Sequence, residues 1–238
     1  MNRDAWSRAG RLRRRVPVGG GLVLSLSLAM TGSVPATSAA QGPKPPGWAR
    51  LCDSSLNEPA AEALVRLTGR RHIREYPGMR HASLAKVAEG VRSWTLSDIG
   101  LCALYTPPPL APAELRMAVD VEVGIAPYPM TKESREDGYL YFRMGETTET
   151  FAVAGAGAHG AFGRRAWLDF HCRGMEGESV RMALTVHWPF RGDARRQAAD
   201  MVTVVHSMAL KLSEELGCGP EDQLPAVPPT EPIEESAL

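Results

Sequence analysis

The sequence has no close pair of cysteines, no net charge, no apolar run long enough to span a membrane and no complete catalytic motif, and each shortage removes a class of function. The chain carries 27 basic and 27 acidic residues, so it lacks the basic face that phosphate binding demands, and no nucleic-acid partner is expected. Its four cysteines, Cys52, Cys102, Cys172 and Cys218, lie at least 40 residues apart. Zinc sites draw on close Cys or His pairs, so this spacing excludes a metal cluster and points to disulfides instead. No Gly-x-Ser-x-Gly elbow and no His-Glu-x-x-His helix is present. No cofactor and no metal are expected.

The amino terminus reads as an export signal over residues 1–40. Arg3, Arg8, Arg11, Arg13, Arg14 and Arg15 stand against the single acid Asp4, and an uncharged run from Pro17 to Met30 follows. Ser38, Ala39 and Ala40 then supply the small residues a signal peptidase reads. The run is 14 residues long, short of the roughly 20 that span a bilayer. A membrane association is expected only if the segment stays uncleaved as an anchor. Val16-Pro17 after the arginines departs from the twin-arginine motif. The expected location is secreted or in the cell envelope.

From Gln41 to Cys218 the charges balance at 21 and 21; after a linker over 41–50, the length suits one domain, 51–218, with a proper core. The tail, 219–238, holds five acids, five prolines and no base, and this composition predicts disorder.

Periodicity assigns the elements. Asn57 to Thr68 reads as a helix with Pro59 in its first turn and Gly69 after it, and Ser83 to Glu89 as another. Leu101 to Thr106 and Thr150 to Ala156 read as strands. Leu115 to Ile125 alternates strictly, with Val119, Val121 and Val123 on one face and Arg116, Asp120 and Glu122 on the other, as in a sheet with one wet side. Ala166 to Cys172 and Val180 to Trp188 form a hairpin around a glycine-bearing turn, which sets His171 opposite Arg181. The longest helix runs from an Asp193 cap to Gly217, with Met201, Val205, Met208 and Leu212 on its apolar stripe. Packed back along the strand it follows, that helix ends over the hairpin turn. Cys218 then meets Cys172, leaving Cys52 for Cys102. The fold class is α+β: an antiparallel sheet with helices packed on it, a long C-terminal helix and two disulfides.

This order resembles small exported domains of unknown function from high-GC Gram-positive bacteria. The resemblance is carried by Leu51-Cys52 before a short helix, Cys102 in the first strand, Cys172 ending a strand and Leu216-Gly217-Cys218 closing the last helix. Some such families resemble the PsbP-type sandwich. The resemblance implies partner or ligand binding outside the cell and carries no site residues.

Four motifs bear on chemistry. Gly155-Ala156-Gly157-Ala158-His159-Gly160 spells the dinucleotide fingerprint, but strand-like sequence on both sides makes it a glycine-rich hairpin or bulge. Ser83 and Lys86 match the Ser-x-x-Lys of penicillin-binding proteins, which makes an extracytoplasmic serine hydrolase the alternative function; the asparagine after Ser97-Asp98 and a Lys-Thr-Gly are missing, so helix cap and surface lysine is the plainer reading. Asp169, His171 and His187 read as solvated residues of a polar sheet face, since a cation beside them disfavours a metal. The segment Pro127 to Gly145 holds Tyr128, Tyr139, Tyr141 and Arg143, residue types that anchor contacts. The functional expectation is an exported, non-catalytic binding or interaction domain using these four residues toward a protein or small ligand outside the cytoplasm.

Overall fold

Three side chains set where the helices begin. Asn57 Oδ1 accepts the Ala60 N–H at 3.0 Å, Ser83 Oγ the Lys86 N–H at 3.3 Å and Asp193 Oδ1 the Arg196 N–H at 2.8 Å, each satisfying a donor the helix leaves open. The capped helices are α1 (Glu58–Thr68), α2 (Leu84–Arg92) and α3 (Ala194–Leu216), and left-handed Gly69 and Gly217 close the first and last. They belong to a computed structural model that describes residues 47–75, 82–93, 99–106, 116–126, 139–144, 151–155, 164–172, 179–187, 192–219, 222 and 224–233. All of these fall in one unit, Pro43–Leu238. The expected signal, 1–40, lies outside the described residues.

Seven strands form one sheet: β1 (Arg74–Glu75), β2 (Ile99–Thr106), β3 (Arg116–Ala126), β4 (Tyr139–Arg143), β5 (Phe151–Gly155), β6 (Arg164–Phe170) and β7 (Ser179–Val186). Their spatial order is β1-β2-β3-β7-β6-β5-β4, and every pairing is antiparallel. Strands β4 to β7 therefore meander from one edge back to the middle, where β7 meets β3. Alternation decides which side of the sheet the helices cover. Val180, Met182, Leu184 and Val186 of β7 and Val119, Val121 and Val123 of β3 are fully buried, whereas Glu122 is exposed and Arg181 half-buried. The α+β class, the long last helix and both cysteine pairings agree with the sequence.

Helix α3 is the organiser. Met201, Val205, Met208 and Leu212 recur at three and four residue steps and are fully buried in the core shared with the sheet. One flank is polar where it meets α1. There Asn57 N–H donates to Ser207 Oγ and Ser207 Oγ donates to the Ser55 carbonyl, both at 2.9 Å, and Arg66 holds Asp200. The disulfide Cys172–Cys218 joins the end of β6 to the residue after the Gly217 cap, and Cys52–Cys102 joins the segment before α1 to β2.

Three features depart from the sequence expectations. Gly47 to Arg50, assigned to a linker, belong to a short 3₁₀ segment, Gly47–Ser54. It turns through Cys52, Asp53 and Ser54 at φ 53°, 56° and 62°, a left-handed run that costs non-glycine residues roughly 1–2 kcal/mol each. The turn is held on all sides. Cys52 N–H donates to Glu75 Oε1, Ser55 Oγ donates to the Cys52 carbonyl at 2.6 Å, and Asp53 Oδ2 accepts the Leu84 N–H at 2.9 Å.

The hairpin register is the second departure. Asp169, not His171, lies opposite Arg181, a slip of two residues that leaves every side chain on its own face. Asp169 is consequently buried, with Arg181 Nε at 2.8 Å from Oδ1 and Nη2 at 2.7 Å from Oδ2, rather than solvated as expected.

The third is the tail. Disorder over 219–238 is overturned for residues 224–233: Leu224 is buried in the core and Ile233 N–H donates to the Tyr141 carbonyl at 2.8 Å. Proline lacks the N–H that a packed segment must satisfy. A proline-rich chain can therefore lie extended against a surface, anchored by a few apolar side chains, without sheet pairing along its length.

Candidate functional site

Strand β4 forms one edge of the sheet, and its alternation sorts the expected residues by face. Phe142 is fully buried on the helix side, and Leu140 packs against the same core. Tyr139, Tyr141 and Arg143 occupy the opposite face, on which no described helix packs; both tyrosines are half-buried and Arg143 is exposed. Tyr128 lies outside the described residues.

Cross-strand pairing extends this patch inward. Tyr141 sits opposite Val153, which sits opposite Trp167, so these three form one row on that face. Tyr139 sits opposite Gly155. Because glycine offers no side chain there, the Tyr139 ring leans across β5 and meets Trp167, with centroids 5.1 Å apart and planes tilted by 52°. Trp167 is the functional candidate that sequence reading missed. Its only signal was its place on the polar-face parity of the strand Ala166 to Cys172, between Ala166 and Leu168.

The same geometry explains the dinucleotide-like motif. Its first glycine ends β5, and β5 and β6 are antiparallel neighbours, so no parallel βαβ unit exists to seat a pyrophosphate. Ser83 and Lys86 are both exposed, and the Ser83 hydroxyl accepts the Lys86 backbone N–H, the ordinary task of a helix cap. His171 and His187 are exposed at the ends of β6 and β7.

One cluster of potential ligands occurs among the described residues. Cys52, Glu75 and Cys102 bring donor atoms within 4.8 Å of one another, but both sulfurs are spent on the bridge and the carboxylate accepts the Cys52 N–H. The bridges themselves suit an oxidising, extracytoplasmic environment. No described helix is long and apolar enough to cross a membrane.

A second chemically unusual group lies on α3. His206 is fully buried, and its Nδ1 and Nε2 are the only buried side-chain polar atoms among the described residues that lack a hydrogen-bond partner. Burial pushes the imidazole down to about 4, and the nearby Pro225 carbonyl opposes that shift without reaching hydrogen-bond geometry. No protein-family model, curated protein or solved structure matches this chain.

Proposed function

We propose that this chain is an exported, non-catalytic binding domain that recognises a protein or small ligand outside the cytoplasm through this sheet face at the β4 edge. What supports the reading is the contact between Tyr139 and Trp167, which joins two strands into one aromatic platform beside Tyr141 and the exposed Arg143. Aromatic rings with few rotatable bonds and an arginine at the rim suit recognition, since they bring contact area with little ordering cost. Export is inferred from the basic and then apolar amino terminus together with the two disulfides. This reading keeps the chain beside the small exported bacterial domains it resembles.

The test is recovery of cell-envelope components on the immobilised domain. Wild type and a control changed on the helical layer, Glu89→Ala, should retain the same component, while Tyr139→Ala with Tyr141→Ala should lose it by tenfold or more. Equal recovery by all three proteins would remove the surface.

A further inference from the structure

We infer that residues 224–233 form a strap that stays closed over α3 and the outer edge of β4 while His206 is neutral, and that lifts off when the imidazole takes a proton. The placement comes first. Seen down α3, Asp200 and Ser207 mark the flank against α1, Met201, Val205 and Met208 mark the side against the sheet, and His206 falls on the remaining flank. The strap covers that flank: Leu224 enters the core, the Pro225 carbonyl lies by the ring, and Ile233 reaches the backbone of β4 at Tyr141.

Among the described groups around the ring only the Pro225 carbonyl favours a charge, and burial outweighs it. Along α3 its neighbours one turn away are Val202, Thr203, Ala209 and Leu210. Of the charged groups of the same helix, Asp200 is held by Arg66 and Lys211 by Glu214 on the other flank, and Arg195 and Arg196 are exposed in its first turn. The strands beneath contribute Leu140, Phe142 and Ala154 to the core, and the strap contributes buried Leu224 and half-buried Pro225 while Ala226 and Val227 face solvent; Asp222 and Glu231 are the nearest described acids along it. No carboxylate contributes to the ring's titration. A buried imidazole with two unused nitrogens gains water on either nitrogen only by uncovering, and an imidazolium gains far more. The strap is the element that can uncover it, since among the described contacts it is held by buried Leu224 and the Ile233 backbone bond and by no sheet pairing. The inference goes beyond the binding reading and holds whether or not Tyr139 and Tyr141 touch a partner.

The two states titrate differently, near 6.5 when the ring is open to water and about 4 when covered. Strap opening should therefore rise about 30-fold between pH 7.5 and pH 5. The experiment follows amide exchange in the full chain, corrected for the pH dependence of intrinsic exchange. The Ile233 amide should lose protection by about that factor while the Leu184 amide in β7 holds. His206→Leu, which cannot take a proton, should keep Ile233 protected at both pH values. A second measurement covers the case in which that variant does not fold: Leu224→Asn unseats the strap without adding a charge, and the His206 ring, followed by NMR, should then titrate at least one pH unit higher than in wild type. Unchanged Ile233 protection in wild type, loss in step with Leu184, equal loss in His206→Leu, or an unmoved ring in Leu224→Asn would each overturn the inference.

Discussion

Arg66 grips Asp200 with two nitrogens, Nε at 2.9 Å and Nη2 at 2.7 Å from Oδ1, and so ties α1 to α3. Asp200 is nearly buried while Arg66 keeps 39% of its side chain exposed to water. The pair should therefore be worth less than a fully buried one, about 1–2 kcal/mol. Arg66→Ala should lower the unfolding free energy by that amount in urea titrations, and Arg66→Lys should recover less than half, because an ammonium cannot reproduce the fork. Full stability in Arg66→Ala would mean the contact is idle.

The disulfides should behave as long-range staples. They span 50 and 46 residues, and each closed loop of that size stabilises by about 4 kcal/mol in the chain-entropy picture. A non-reducing peptide map should give Cys52 linked to Cys102 and Cys172 linked to Cys218, and replacing either pair with serine should lower Tm by 10 °C or more. Crossed linkages in the map would contradict the fold itself.

Acid should weaken the folded state through His206. The ring's folded value, about 4, lies below its ordinary 6.5, so its contribution is complete above pH 6.5 and is lost as pH falls through that value toward 4. At most about 3 kcal/mol is at stake. Denaturation at pH 7 and pH 4.5 should show a smaller loss for His206→Leu than for wild type; parallel losses would assign the acid sensitivity to carboxylates instead.

Ser83 offers a discriminating case. As a cap, Ser83→Ala should cost about 1 kcal/mol, and fluorophosphonate and penicillin probes should leave the wild-type protein unlabelled. Labelling that disappears in Ser83→Ala would bring the serine hydrolase forward.

Much of this fold was legible because its signals are local and mutually consistent. Asp193 and Gly217 bracket α3 with a cap at each end, and the strict alternation of Val119, Val121 and Val123 could only be a half-buried strand. The cysteine pairing followed from one packing argument about the direction of α3. The misses are tertiary. Nothing in a helical pattern distinguishes a histidine facing water from one roofed by a distant segment, so His206 passed unnoticed. Nor does composition reveal that Leu224 and Ile233 supply two anchors to a tail rich in proline and acid. Trp167 lay in a strand that was recognised, but its meeting with Tyr139 depends on Gly155 standing between them, which only the register of β4, β5 and β6 discloses.

The bond between Cys172 and Cys218 sits six residues before Leu224, where the strap begins its path. Detachment at the far end is therefore never departure: the segment remains leashed to a fixed point, at an effective concentration set by a short leash rather than by dilution. Re-closure is unimolecular and insensitive to how much protein is present, so a molecule passing through an acidic zone would recover its covered form without help, on the timescale of loop motion.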